Sequence, residues 1–260
     1  MNRVSWRKTL TGLAAAAAVA LGASRATAAP VVTVEMGVVG TYDPYSYDFP
    51  LDPVIHPPAA DGSYAFGQNG VGGTSYLCDW SLVVNPDPSI TGNFTITNLS
   101  TAPQTFILTV TLPVSPALSA PTKMGGSVGL IAYQSFNGNG NQTDDGQVEL
   151  MTVGALPFYR ALIDGNAAGV QDLGFFDTGN ICCGANIGGT ISKLDFGTPI
   201  PNAPGPAVTT SIGIQIEFNV TGGDKLTFPA VFVVAPEPAS VLLVGLSLAG
   251  LVAARRRSRR

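Results

Sequence analysis

Alternating apolar and polar residues are the feature that most restricts the fold of this chain. From Ile212 to Val220, every even-numbered residue is large and apolar, and every odd-numbered residue is small or polar. Successive side chains of a β-strand point to opposite faces, so this pattern predicts a strand with one apolar face. Residues Lys225 to Val234 also carry apolar side chains at every second position. Because the turn residues Thr221 to Asp224 separate the two stretches, we expect a β-hairpin here.

Shorter stretches of the same kind predict further strands. Asn93 to Leu99 and Thr105 to Leu112 alternate on either side of a turn at Ser100 to Pro103. Residues Thr41 to Gly73 are richer in Pro, Gly, Asp and Tyr, and we expect a long loop there. Many short strands between turn residues are typical of an all-β, antiparallel β-sandwich, Ig-like or jelly-roll in style. The other predicted strands are Val31 to Val39, Tyr76 to Val84, Ser127 to Tyr133, Val148 to Val153 and Phe158 to Ile163.

The N-terminus has the three parts of a secretory signal peptide. Basic residues up to Lys8 precede an uncharged run from Thr9 to Ser24, and the small residues Ala26 and Ala28 follow. This order predicts a signal helix in residues 1–28 that signal peptidase removes after Ala28. The alternative is an uncleaved membrane anchor, but the apolar run is shorter than the roughly 20 residues that a spanning helix needs.

The C-terminus contains a second processing or anchoring segment. Pro236-Glu237-Pro238 precedes an uncharged run from Ala239 to Ala254. As a helix, this run would be about 24 Å long, which spans the roughly 30 Å hydrocarbon core only if the flanking arginines snorkel. Positive charge behind a transmembrane helix keeps that side in the cytoplasm, so the body would face outward. The positive charges are Arg255, Arg256, Arg257, Arg259 and Arg260.

A proline-flanked glutamate, one short apolar segment and a terminal arginine cluster, in this order, closely resemble the PEP-CTERM protein-sorting signal. The resemblance covers residues 236–260 and implies an exosortase as partner, a membrane-embedded enzyme that would cut near Pro236-Glu237-Pro238. Cutting there would release the body or anchor it again, and until then the helix would hold the protein in the membrane. An anchor that is never processed is the alternative. The family also implies a bacterial host that makes exopolysaccharide.

Residues 29–235 are therefore expected to form one exported β-sandwich domain between the signal peptide and the sorting signal. This body has four basic and sixteen acidic residues, a net charge of −12. A field of that sign repels nucleic acid, so no nucleic-acid partner is expected. It also favours solubility and could attract divalent cations.

Residues that usually carry catalysis or metal binding are scarce in the body. The only histidine, His56, precedes two prolines in the predicted loop and is expected to be an exposed loop residue. The run Asn137 to Glu149 is rich in oxygen ligands but has Thr152 where a calcium EF-hand needs a bidentate glutamate, which favours a hairpin turn. Neither metal nor cofactor is expected.

The three cysteines do not have the spacing of a zinc or iron–sulfur site. Export permits disulfides, so one bridge is expected from Cys78 to either Cys182 or Cys183. A bridge between the adjacent Cys182 and Cys183, or three free thiols, are the alternatives.

These features predict an exported bacterial protein at the cell surface or in the extracellular matrix, with a structural role rather than a catalytic one. Its affinity would be for exopolysaccharide or for other matrix proteins. Two alternatives stay open at this point. One is a secreted, carboxylate-dependent enzyme acting on glycans, because sixteen carboxylates could include a catalytic pair. The other is an adhesion module stabilised by calcium.

Overall fold

The computed structural model describes residues 30–40, 44–129, 131–135, 147–148, 159–165, 172–173, 181–182, 189–191, 194–220 and 222–237. In these ranges the chain forms strands and turns, with no α-helix. Accordingly, the described residues include no helix with the length and apolarity needed to cross a membrane. The predicted signal helix in residues 1–28 and the predicted helix in residues 239–254 lie outside the described residues.

The described strands are numbered in chain order. The first nine are β1 (Val31–Val38), β2 (Tyr45–Pro50), β3 (Tyr64–Val71), β4 (Tyr76–Asn85), β5 (Ser89–Asn98), β6 (Gln104–Pro113), β7 (Thr122–Val128), β8 (Ile131–Ser135) and β9 (Gln147–Val148). The others are β10 (Tyr159–Ile163), β11 (Asp172–Leu173), β12 (Ile181–Cys182), β13 (Gly189–Ile191), β14 (Leu194–Phe196), β15 (Ala203–Gly205), β16 (Ser211–Val220) and β17 (Asp224–Pro236).

Two antiparallel sheets make up most of the described structure. The six-stranded sheet has the order β11-β10-β16-β6-β1-β2. The nine-stranded sheet follows the order β13-β8-β17-β5-β4-β3, and β7 joins it by pairing with β14, β15 and β17. Strands β9 and β12 form a separate pair. The prediction of an all-β, antiparallel sandwich is confirmed, and β1, β4 and β10 agree within one residue with the predicted strands.

The core lies between the two sheets and is built from the alternating residues of both. The even-numbered residues of β16, from Ile212 to Val220, are at most 1% exposed. Aromatic rings connect the sheets, because the Phe218 ring of β16 contacts Phe106 in its own sheet at 5.6 Å and Phe228 of β17 at 5.5 Å. Burying each such side chain contributes roughly 1.5–3 kcal/mol, so this interior dominates the stability of the fold.

The predicted hairpin between β16 and β17 is wrong, because the two strands belong to different sheets. Strand β16 pairs with β6 and β10, whereas β17 pairs with β5, β7 and β8. The connection packs against the one between β5 and β6, where a Cβ atom on Gly222 would lie 2.5 Å from the carbonyl carbon of Thr101. Alternation identifies the buried face of a strand but not its partner, and both strands bury the same kind of face.

Asn98, at the end of β5, hydrogen-bonds both to the connection between β5 and β6 and to the end of β16. Its side-chain nitrogen donates to the carbonyl oxygens of Ala102 and Val220, each at 2.9 Å, and its side-chain oxygen accepts from the Ser100 backbone N–H at 2.9 Å. The Gly223 N–H in turn donates to the Asn98 carbonyl oxygen at 3.1 Å. Asn98 is completely buried, so these bonds replace the water that its amide loses on folding.

The predicted long loop at Thr41 to Gly73 is also wrong, because it contains β2 and β3. Strand β2 places Tyr45, Tyr47 and Phe49 toward the other sheet at every second position, opposite the inward residues of β1. The Phe49 ring lies 4.6 Å from the Phe66 ring of β3, which closes one side of the sandwich with aromatic contacts. Similarly, the predicted strand Ser127 to Tyr133 is divided between β7 and β8.

Asp164 fixes the turn after β10 to the start of β16. Its backbone has a φ of 53°, in the left-handed region that Asp tolerates better than most residues. Its carboxylate accepts hydrogen bonds from the backbone N–H groups of Thr209, Thr210 and Ser211 and from both threonine hydroxyls. Partial burial acts to raise the pKa of Asp164, but these hydrogen bonds outweigh it and hold the pKa well below its ordinary value.

Candidate sorting site and surface groove

The proposed sorting motif begins inside the folded body, at the end of β17. Strand β17 pairs with β7 up to its last residue, so that Ala235 lies opposite Lys123 and Pro236 opposite Thr122. Pro236 is exposed, and the following residue, Glu237, is half-buried. The motif is therefore continuous with a strand of the sandwich, without a linker between them.

Glu237 is held by two contacts, one to β7 and one to the residue just before it. Its backbone N–H donates to the Pro121 carbonyl oxygen at 3.3 Å. Its side-chain Oε1 lies 3.5 Å from the Lys123 Nζ, and both side chains are about one-third exposed, at 33% and 31%. Sequence reasoning identified Glu237 but missed Lys123, because nothing in the local sequence marks a lysine whose partner lies far along the chain.

The other predicted processing residues lie outside the described residues. These are Pro238, Ala26 and Ala28, and the arginine cluster Arg255, Arg256, Arg257, Arg259 and Arg260. Their proposed roles in cleavage and in orientation remain predictions.

Cys78 is a free thiol in this structure and is buried in β4, 1% exposed. Its Sγ lies 3.8 Å from the Asp79 carbonyl oxygen, and burial together with the neighbouring Asp79 charge raises the pKa of the thiol to about 12. Cys183 and the side chain of Cys182 lie outside the described residues. Cys78 therefore forms no disulfide in this structure. A bridge from Cys78 to Cys182 or Cys183 stays a prediction for the exported protein.

His56 lies in the turn that follows β2 and is half-buried rather than exposed as predicted. Its ring contacts the Phe66 ring edge-on at 5.4 Å, and its backbone N–H donates to Asp52 at 2.7 Å. Across the described ranges, no three His, Cys, Asp or Glu side chains converge as a metal site would require. Most of the oxygen-rich run Asn137 to Glu149 lies outside those ranges.

A groove of about 340 Å³ opens on the outer face of the six-stranded sheet. Neighbouring strands place its polar groups in one row, because Glu35 of β1 lies opposite Ser46 of β2 on one side and Thr109 of β6 on the other. Gly37 and Ile107 form the next row, and the absent side chain of Gly37 leaves the depression between them. Carboxylate and hydroxyl groups thus line a surface that is otherwise apolar.

Glu217 stands beside this groove, on the neighbouring strand β16. It is 4% exposed and lies opposite Ile107, a residue of the groove. Within the described part of the chain, the Glu217 Oε2 and the Arg160 Nε are buried and lack hydrogen-bond partners. Burial raises the pKa of the Glu217 carboxyl, and the nearby Arg160 charge opposes this rise only in part. A carboxyl of this kind keeps its proton to higher pH than an exposed one.

The comparisons with known proteins identify the tail of the chain. Residues 234–257 match the family described as the PEP-CTERM protein-sorting motif. No curated protein matches the chain. The matched segment begins at Val234, which is 1% exposed in the core, and so overlaps the last residues of β17. The chain thus carries a PEP-CTERM protein-sorting motif at its C-terminal end, which implies export to the cell envelope or surface and sorting by an exosortase.

Proposed function

We propose that this protein delivers a non-catalytic β-sandwich to the cell surface or extracellular matrix, where it associates with polysaccharide. The sorting motif at residues 234–257 supports the route. An exosortase would cut near Pro236-Glu237-Pro238 after signal peptidase has removed residues 1–28. The apolar interior is complete at Val234, so the body would keep its core after such a cut.

The groove on the six-stranded sheet is the observation that supports polysaccharide as the ligand. Sugars present hydroxyl groups at their edges and C–H groups on their faces. Glu35, Ser46 and Thr109 offer acceptors and donors for hydroxyls, while Ile107 and Pro44 offer an apolar surface. The body has a net charge of −12, which favours a neutral polysaccharide over an acidic one.

A pull-down with exopolysaccharide from the host tests this proposal. We expect the exported protein to retain the polysaccharide without shortening it. Gly37→Leu should weaken retention because the new side chain fills the groove, and a Cβ at Gly37 meets its nearest neighbour, the Pro44 Cα, at an ordinary 3.8 Å. Thr111→Leu is the matched control, since Thr111 is on the same sheet face outside the groove. Equal retention by both variants and the unchanged protein would remove the groove from the proposal.

An enzyme acting on glycans is the second candidate, and the placement of two carboxylates favours it. Glu35 and Glu217 lie on the same sheet face with β6 between them, and Ile107 of β6 is part of the groove. The Glu217 carboxyl has a raised pKa and the Glu35 carboxyl is exposed, a combination suited to acid and base roles. Release of reducing ends with time, abolished by Glu217→Gln, would favour this candidate over the structural role.

A further inference from the structure

The end of β17 is paired with β7 where the exosortase would need it free. Ala235 and Pro236 pair with Lys123 and Thr122, and the Glu237 N–H donates to Pro121. We propose that the folded body withholds its own cleavage region from the exosortase, and that Lys123 controls how often this region becomes accessible through its ion pair with Glu237. This inference rests on the proposed cleavage near Pro236-Glu237-Pro238.

An enzyme that cuts a peptide bond binds the backbone around that bond. The backbone of residues 235–237 cannot pair with β7 and lie in an enzyme cleft at the same time. Cleavage of a folded substrate therefore follows local opening, and its rate tracks the population of the open form when opening and closing are fast.

The strand end can open while the body stays folded. The last large apolar side chain of β17 in the core is Val234, at 1% exposed, and Ala235 and Pro236 bury little. Pro236 has no backbone N–H to give to the ladder. Beyond Val234 the attachment is therefore mostly polar, and the pair between Lys123 and Glu237 is its one ion pair among the described residues.

Lys123→Glu is the most direct test because it leaves the motif unchanged. It replaces attraction to Glu237 with repulsion, so the open population should rise by about two- to fivefold, the range that exposed ion pairs support. Lys225→Glu is the matched control, since Lys225 lies at the opposite end of β17 and changes net charge equally. Lys123→Gln removes the attraction without adding repulsion and should have a smaller effect in the same direction.

The measurement is a pulse-chase of the full-length protein in the exosortase-containing host, with precursor and product separated by intact mass. Faster conversion of Lys123→Glu than of Lys225→Glu, with equal melting temperatures of the precursors, supports the inference. Equal rates for all variants overturn it and leave exosortase cleavage intact, because the enzyme would then act before the body folds. Slower conversion of Lys123→Glu also overturns it. Absence of any cleaved product in the unchanged protein rejects the proposed processing itself.

Discussion

The interior of the sandwich and its polar rim are stabilised by different forces. Here the polar rim means the contacts of Asn98, Asp164 and the pair between Lys123 and Glu237, all at strand ends or connections. The interior relies on apolar area, which depends little on pH or salt and is spread over many side chains. Each rim contact rests on one or two polar groups, so a single substitution can remove it. The rim therefore fixes the positions of connections and strand ends, while the interior supplies most of the stability of the fold.

Ile214→Asp should have the largest effect of all, because it puts a charge into the interior. Ile214 is completely buried between Ala161 and Val110 on the neighbouring strands. An unpaired buried charge costs several kcal/mol, on the order of the total stability of a domain, so we expect the body not to fold. Gln215→Asp, on the outer face, is the control and should change the free energy of unfolding by less than about 1 kcal/mol. Urea denaturation followed by circular dichroism measures both, and equal losses would contradict the assigned faces.

Asn98→Ala should have the largest effect in the rim. The change removes the side-chain donor to the buried Val220 carbonyl oxygen and the side-chain acceptor of the Ser100 N–H, which together costs about 2–4 kcal/mol. Asn93→Ala, on an exposed position of the same strand, should cost less than about 1 kcal/mol. Both are measured as the free energy of unfolding in urea. A small loss for Asn98→Ala would mean that water replaces the amide easily and that the connections do not depend on it.

Asp164→Asn separates the charge at the rim from the backbone conformation, because Asn also tolerates a positive φ. The folded pKa of Asp164 is lowered, so its charge stabilises the fold fully above the unfolded value of about 3.9. This stabilisation is lost as the pH falls through the lower folded pKa. We expect Asp164→Asn to be less stable by about 1–2 kcal/mol at pH 7, a modest value since the carboxylate is partly solvated. Melting curves should show this difference shrinking below about pH 4; a constant difference would contradict the role of the charge.

Lys123→Gln should have the smallest effect on the body as a whole. Its ion pair with Glu237 is partly exposed, so the free energy of unfolding should fall by no more than about 1 kcal/mol, and 1 M salt should remove the difference. Hydrogen exchange at Glu237 should nevertheless accelerate, since its N–H depends on the same attachment. A large loss of global stability would show that the strand end is part of the cooperative core.

The interior was predictable from the sequence because alternation of the kind seen in β16 reports which side chains are buried. Alternation does not report which sheet a strand joins. The sequence therefore did not show that the chain passes from one sheet to the other between β16 and β17. Composition predicts a loop at residues 41–73, although Tyr45, Tyr47 and Phe49 already alternate there. The tail was recognisable because its three features are consecutive. Its attachment to Lys123 was not, because that contact forms only when β7 and β17 pair.

The position of β17 within its sheet determines when the body can be completed during export. This strand lies between β5 on one side and β7 and β8 on the other, so it joins two parts of the sheet that are otherwise separate. A chain exported from its N-terminus delivers residues 224–236 last among those of the sandwich, immediately before the uncharged run at 239–254. The sheet therefore closes only once the strand that carries the start of the sorting motif has been delivered.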